Sequence, residues 1–187
     1  MRRGLALGGF MGAGKSTVGR VVAEALGVPW YDTDALLGGP TPPPSELARH
    51  WVGTSVAAQV ASDEAGFRAR ERGLIEALCT LGRPCVVSTG GGVWADANAR
   101  QALRRAFVTV TLVAPLDVLS GRVAGAAGRP LWDDRVAERF AARASAYTDA
   151  DFVVDTERRG VGAVVDEVLR LYAEATSGSG GSACPSP

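Results

Sequence analysis

The segment Gly9-Phe10-Met11-Gly12-Ala13-Gly14-Lys15-Ser16 constrains this chain more than any other. It follows an apolar run that reads as a buried strand over residues 5–10, and it opens a helical pattern over residues 15–26 that stops at Gly27. Glycines at three of its positions let successive backbone N–H groups turn toward one anion. The helix N-terminus adds positive potential at the same point. In such a loop the lysine neutralises the outer phosphates and the hydroxyl of Ser16 is a ligand for Mg2+. Composition sharpens the reading, because Lys15 is the single lysine among 20 basic residues. A compact ammonium suits a phosphate cradle in a way that a broad guanidinium does not. A chance glycine-rich turn is the competing reading, and both context and composition weigh against it. The pattern implies a nucleoside triphosphate and Mg2+ and leaves the acceptor open.

Strand and helix patterns alternate along the rest of the chain. Strands are expected at 28–31, 85–88, 107–113 and 152–155, and helices at 64–81, 97–106, 116–123, 135–147 and 161–175. The fold class is therefore α/β: a five-stranded parallel sheet with helices on both faces. The length of 187 residues suits one domain, over 1–175. Residues 38–44, Gly-Gly-Pro-Thr-Pro-Pro-Pro, can be neither helix nor central strand. Residues 176–187, rich in Ser, Gly and Pro, read as a disordered tail.

A formal net charge of zero argues against a nucleic-acid or anionic-membrane binder. No apolar run reaches the roughly 18–20 residues that span a bilayer. Met1-Arg2-Arg3-Gly4 could start a signal peptide, but the apolar stretch after it runs straight into the glycine-rich loop. Cys79, Cys85 and Cys184 are odd in number and fit neither a zinc site nor a disulfide framework. They read as ordinary thiols in a reducing cytoplasm. The lone His50 lies in an irregular stretch and reads as a solvated loop residue.

The acceptor side has weaker signals. Tyr31-Asp32-Thr33-Asp34 follows the second strand. If the strand extends that far, Asp32 and Asp34 face one side, so one can hold a metal's water shell while the other takes an alcohol proton. A turn or helix-cap role has about equal weight. Thr89-Gly90-Gly91-Gly92 follows the third strand and implies close backbone approach to a ligand or a tight turn. Arg68, Arg129 and Arg143 read singly as surface arginines. Together they could clamp a carboxylate and a transferring phosphoryl group.

Taken in order, these elements resemble the shikimate kinase family. The matching motifs are Gly12–Thr17, Asp32–Asp34, Phe67-Arg68 with Glu71, Gly90–Gly92, Arg129-Pro130-Leu131, and Arg143 with Tyr147. Arg122 lies seven residues before Arg129, as the family's lid arginine does, and 154–159 resembles the adenine-side loop. The resemblance covers about residues 4–172. It implies a P-loop nucleoside-monophosphate-kinase-like fold, with a substrate-binding helical segment at about 34–72 and a mobile lid at about 122–133. It further implies transfer of the γ-phosphoryl of ATP to the 3-hydroxyl of shikimate by a cytoplasmic monomer. Carried over by residue, Gly12, Ala13, Gly14, Lys15, Ser16 and Thr17 hold phosphates, and Ser16 and Asp32 serve Mg2+. Asp34 binds the acceptor hydroxyls and is the candidate base. Arg68 and Arg143 pair with the acceptor carboxylate and Gly91 contacts its ring. Arg129 reaches the γ-phosphate, and Arg122 and Arg159 flank adenine.

Three departures stand out. Residues 38–51 look like an insertion, the usual Gly-Glu before Phe-Arg is replaced by Asp63-Glu64-Ala65-Gly66, and Trp132 follows Arg-Pro-Leu. The first two touch the acceptor segment. Rival readings are a kinase for gluconate or an aminoshikimate-like carbocycle, a nucleotide-binding regulatory module without turnover, and a nucleoside-monophosphate kinase.

Overall fold

In the computed structural model, residues 4–124 and 135–177 are described. Strand β1 (Gly4–Gly9) is buried along its whole length. It pairs in parallel with β3 (Val86–Ser88) on one side and β4 (Phe107–Val113) on the other. β2 (Trp30–Asp32) lies beyond β3, and β5 (Phe152–Asp155) beyond β4. The order is β2-β3-β1-β4-β5. A strand covered on both faces needs a continuous apolar run, which is what residues 5–7 supply.

Alternation along β1 divides the core in two. Leu5 and Leu7 face one layer with α1 (Lys15–Leu26) and α7 (Val161–Ser177), among them Val22 and Val168. Ala6 faces the other, with Phe67 and Leu74 of α3 (Val56–Cys79) and Leu103 of α4 (Ala97–Ala106). α5 (Leu116–Val123) and α6 (Val136–Tyr147) complete the sequence of long helices. One residue of β1 is fixed by a distant contact. A Cβ on Gly8 would lie 2.1 Å from Nε1 of Trp94. That indole is fully buried and donates to Oγ1 of Thr89 at 3.0 Å.

Three local expectations change. The second strand, expected at 28–31, runs from Trp30 to Asp32, and a six-residue helix α2 (Thr33–Gly38) follows it at once, so of the two readings of Asp32 and Asp34 the strand does not extend to Asp34. α3 starts at Val56, eight residues before the expected start at 64. Asp63 leaves the helical conformation inside it, with φ −158° and ψ 84°, and its carboxylate accepts from the Gly66 N–H at 2.9 Å. The run from 64 is thus the recapped second half of a kinked helix, and Ser55 caps the first half. α7 extends to Ser177, two residues into the expected tail, and 178–187 lie outside the described residues.

The insertion is fastened. Leu47 is fully buried, and the Trp51 indole donates to the Gly39 carbonyl at 2.9 Å. His50, at the end of a one-turn 3-10 helix (Ala48–His50), is half-buried rather than solvated. A Cβ on Gly73 would lie 2.6 Å from its Cε1. Burial, with Arg49 beside it, pushes the His50 pKa down. Burial likewise pushes the unpaired thiols of Cys79 and Cys85 up to about 11. Among the described residues, no helix is long and apolar enough to cross a membrane.

Candidate active site

The phosphate loop joins β1 to α1 through three glycines at positive φ, Gly9 (132°), Gly12 (82°) and Gly14 (92°). L side chains rarely adopt that region. The Lys15 ammonium donates to the Phe10 carbonyl at 3.0 Å. Beneath the loop, Oγ of Ser88 donates to the Lys15 carbonyl at 2.9 Å and accepts from the Trp30 indole at 3.0 Å.

Asp32 does two things at once. Its Oδ1 accepts from the N–H groups of Asp34 and Ala35 at 3.0 and 3.3 Å, capping α2. Its Oδ2 accepts the Ser16 hydroxyl at 2.6 Å. The cap reading therefore applies to Asp32, and the same carboxylate has its other oxygen on the Ser16 hydroxyl. The picture of two carboxylates along one strand face is corrected: β2 ends at Asp32, and Asp34 reaches the site from the first turn of α2. The hydroxyl and carboxylate pair is a hard-oxygen set that suits Mg2+, which takes its remaining ligands from water and phosphate. Among the described residues, no group of three or more His, Cys, Asp or Glu could hold a metal ion without such help.

Two cavities meet at this loop. One, of about 350 Å3, is lined by residues 12–18 with Arg122, Thr156 and Arg159. Arg122 donates to Oγ1 of Thr156 at 2.9 Å and to the same residue's carbonyl, so its guanidinium is held flat against the β5–α7 turn. Arg159 donates to the Ala163 carbonyl at 2.8 Å. The second cavity, of about 910 Å3, holds Asp34, Arg68, Glu71, Gly90, Gly91, Gly92 and Arg143 against an apolar wall of Val56, Val60 and Phe67. Lys15 and Ser16 line both.

Two of the three glycines are explained by what lies over them, and at Gly91 a Cβ would make only ordinary contacts, 3.5 Å and beyond. A Cβ on Gly90 would stand 2.6 Å from Oδ1 of Asp34, and one on Gly92 would stand 2.2 Å from Nη1 of Arg68. At Gly91 the neighbours are Arg143 and the Tyr147 hydroxyl, which donates to the Gly91 carbonyl at 3.1 Å. Arg68 is held by Glu71 at 2.8 Å and by the exposed Glu64 at 3.4 Å. Burial works against its charge, but the two carboxylates outweigh it and hold the guanidinium above its ordinary pKa. Arg143 lies 5.9 Å from the centre of the Phe10 ring. Burial pushes the neighbouring Tyr147 phenol up to about 12, against the pull of Arg143.

The structure thus brings together Lys15, Ser16, Asp32, Asp34, Arg68, Gly91 and Arg143 at the larger cavity, and places Arg122 and Arg159 on the smaller one. Arg129 and residues 125–134 of the expected lid lie outside the described residues. Ser88 and Thr33, whose hydroxyl accepts from the Gly90 N–H at 2.7 Å, were not singled out as site residues. Both act between segments far apart in sequence: Thr33 lies within the Asp32–Asp34 motif but its contact is not readable there, and no local pattern marks Ser88.

The shikimate kinase family model matches residues 11–173. A shikimate kinase from Geobacter metallireducens is 38% identical over 173 residues, covering 89% of each chain. The structure of shikimate kinase from Acinetobacter baumannii in complex with shikimate has a TM-score of 0.79 at 26% identity, covering 94% of this chain and 95% of that one. A gluconokinase from Sinorhizobium meliloti, at 21% identity and a TM-score of 0.63, shares the fold. With phosphate loop, acceptor cavity and whole-chain similarity in agreement, the chain belongs to the shikimate kinase family, ATP-dependent phosphotransferases that act on a hydroxyl group.

Proposed function

We propose that this protein transfers the γ-phosphoryl group of ATP to the 3-hydroxyl of shikimate. The observation that carries the reading is the sharing of Lys15 and Ser16 between the two cavities, which puts a phosphate chain end-on to the acceptor space. An apolar wall with two arginines and one carboxylate matches a carbocyclic acid bearing hydroxyls. Arg68 and Arg143 hold the acceptor carboxylate, Arg68 with its guanidinium braced by Glu71. Asp34, exposed toward the cavity, takes the proton of the reacting hydroxyl. The new oxygen–phosphorus bond forms as the bond between the γ-phosphorus and its bridging oxygen breaks, and ADP departs. Lys15 stabilises the charge that gathers on the transferring group, and Arg129 adds to it in this reading.

Ser16 and Asp32 are the residues that would hold Mg2+, Asp32 through water. The ion, when bound, screens the phosphate charge that an incoming oxygen must approach. Arg122 and Arg159 contact the adenine side. The unpaired Cys79 and Cys85 support a cytoplasmic enzyme.

ADP release measured by a coupled assay with shikimate, an aminoshikimate-like carbocycle and gluconate tests the reading. Shikimate should give the highest kcat/KM. Preference for gluconate, or no turnover with any acid, would overturn it.

A further inference from the structure

The segment 39–54 leaves α2 and returns to α3 at a single point, and the side chain of Gln59 sits in that neck. It is 3% exposed. Its Nε2 donates to the carbonyl of Leu37 at 3.0 Å and to that of Thr54 at 2.7 Å. Its Oε1 accepts from Nη2 of Arg70 at 3.3 Å. One buried amide thus joins the end of α2, the end of the inserted segment and the start of α3. A buried amide with both donors used is costly to replace, because the Thr54 carbonyl loses the amide and the buried Leu37 carbonyl keeps only the Val52 N–H.

Other contacts keep the neck narrow. The Val52 N–H donates to the Leu37 carbonyl at 3.1 Å. A Cβ on Gly38 would lie 2.3 Å from the Thr54 carbonyl oxygen and 3.0 Å from Nε2 of Gln59, so only glycine allows the two chain ends to come this close. The far end of the segment is tied down as well. Glu46 pairs with Arg83, which also donates to the Tyr31 hydroxyl.

The neck is also the rim of the acceptor cavity. Gly38, Gly39, Ser55, Val56 and Val60 all line it. Val56 and Val60, one turn apart on α3, face the cavity, while Gln59 is buried against the carbonyls of the neck. α2 carries Asp34, and α3 carries Arg68 further along. Through Leu37 on one side and Arg70, beyond the kink at Asp63, on the other, Gln59 therefore ties the helix that bears the candidate base to the half of α3 that bears Arg68.

We propose that Gln59 is a positioning residue for acceptor binding: it closes the neck of the inserted segment and so holds the Val56–Val60 wall opposite Asp34 and Arg68. The insertion is then part of the acceptor site rather than a surface excursion. This inference rests on the reading of the larger cavity as the acceptor site.

Two substitutions test it. Gln59→Met keeps length and removes every hydrogen bond. Gly38→Ala keeps Gln59 and forces the neck apart with one methyl group. Each should raise KM for shikimate at least about fivefold and leave KM for ATP within about twofold, in protein whose cooperative thermal unfolding shows it folded. If only one variant folds, that variant decides. Acceptor KM within twofold of the unsubstituted protein, or parallel increases in both KM values, would overturn the proposal. Failure of both variants to fold would overturn it too, since Gln59 would then serve the fold as a whole. The acceptor assignment is judged separately, by whether the unsubstituted protein phosphorylates shikimate at all.

Discussion

Gly92→Ala puts a single methyl group where the structure leaves no room for one. The backbone there has φ −79° and ψ −26°, which alanine adopts without strain, so the substitution acts through its side chain. Its Cβ would stand 2.2 Å from Nη1 and 2.9 Å from Cζ of Arg68. Ordinary contact begins near 3.4 Å, so the guanidinium must withdraw by roughly 1.2 Å. That motion breaks the 2.8 Å bond to Glu71, whose side chain is 6% exposed. Hydrogen bonds to charged groups contribute about 1.5–3 kcal/mol, and the displaced guanidinium also leaves the place from which, in the proposed function, it holds the acceptor carboxylate. At about 1.4 kcal/mol per tenfold, KM for shikimate should rise about 10- to 150-fold. KM for ATP should stay within about twofold, because Gly92 lines the acceptor cavity and lies outside the nucleotide cavity. Gly121→Ala is the matched control. A Cβ there meets nothing within 4 Å, and in the middle of α5 it should add about 0.5–1 kcal/mol of helix stability. Steady-state kinetics with each substrate varied in turn, beside thermal unfolding, read out all of this. An acceptor KM unchanged in folded Gly92→Ala protein would refute the reasoning, because the arginine pressed against Gly92 would then not be the one that reads the acceptor.

Asp34→Asn should lower kcat at least about 100-fold with little change in ATP affinity, since the amide keeps a hydrogen bond but cannot take the proton; near-normal kcat would leave Asp34 with an orienting role alone. Arg143→Lys should raise KM for shikimate by about 2–4 kcal/mol worth of binding and leave a carboxylate-free analogue unaffected, which a double-mutant cycle with both acceptors measures. Equal effects on the two acceptors would show that Arg143 does not face the carboxylate. His50 gives a pH prediction. Its folded pKa lies below the unfolded value of 6.5, so the neutral ring's contribution to stability is complete above 6.5 and is lost as pH falls through the lower folded value. Thermal unfolding of His50→Gln should therefore depend less on pH on the acid side of 6.5, and identical slopes for the two proteins would count against a buried neutral imidazole.

The elements that local chemistry determines were legible in the sequence. α1 starts at the lysine of the phosphate loop and stops at Gly27, whose φ of 64° is a left-handed cap. α4, β4, α5 and β5 have the expected bounds because period and punctuation agree there. α2 was hidden because six residues hold too little periodicity, and Asp32 could extend a strand or cap a helix with equal ease. The first half of α3 was hidden because Ala57, Ala58 and Ala61 give a weak apolar stripe and Asp63 interrupts it. At the site, residue types announced the phosphate loop, and the family pattern picked out Arg68 and Arg143. Glu71 and Tyr147 stand in the same local motifs, three and four residues after the arginines they accompany. The contacts of the Ser88 and Thr33 hydroxyls and of the Gln59 amide depend instead on which segments the sheet and helices bring together. No window of sequence contains that information.

The contact between Gly8 and Trp94 has a consequence for how relatives of this chain can diverge. Adding a methyl group at position 8 first drives it to within 2.1 Å of a fully buried indole, wedged between a central strand and the turn after β3. Shrinking position 94 first empties a space the size of an indole, at about 3–5 kcal/mol if it becomes alanine. Either single step crosses a deep valley, while the two together cost less than their sum, because the methyl fills part of the vacated space. The pair should therefore change jointly or stay fixed. In a lineage that has taken the step, a larger residue at position 8 should be found with a smaller one at position 94, although 85 intervening residues separate them in the chain.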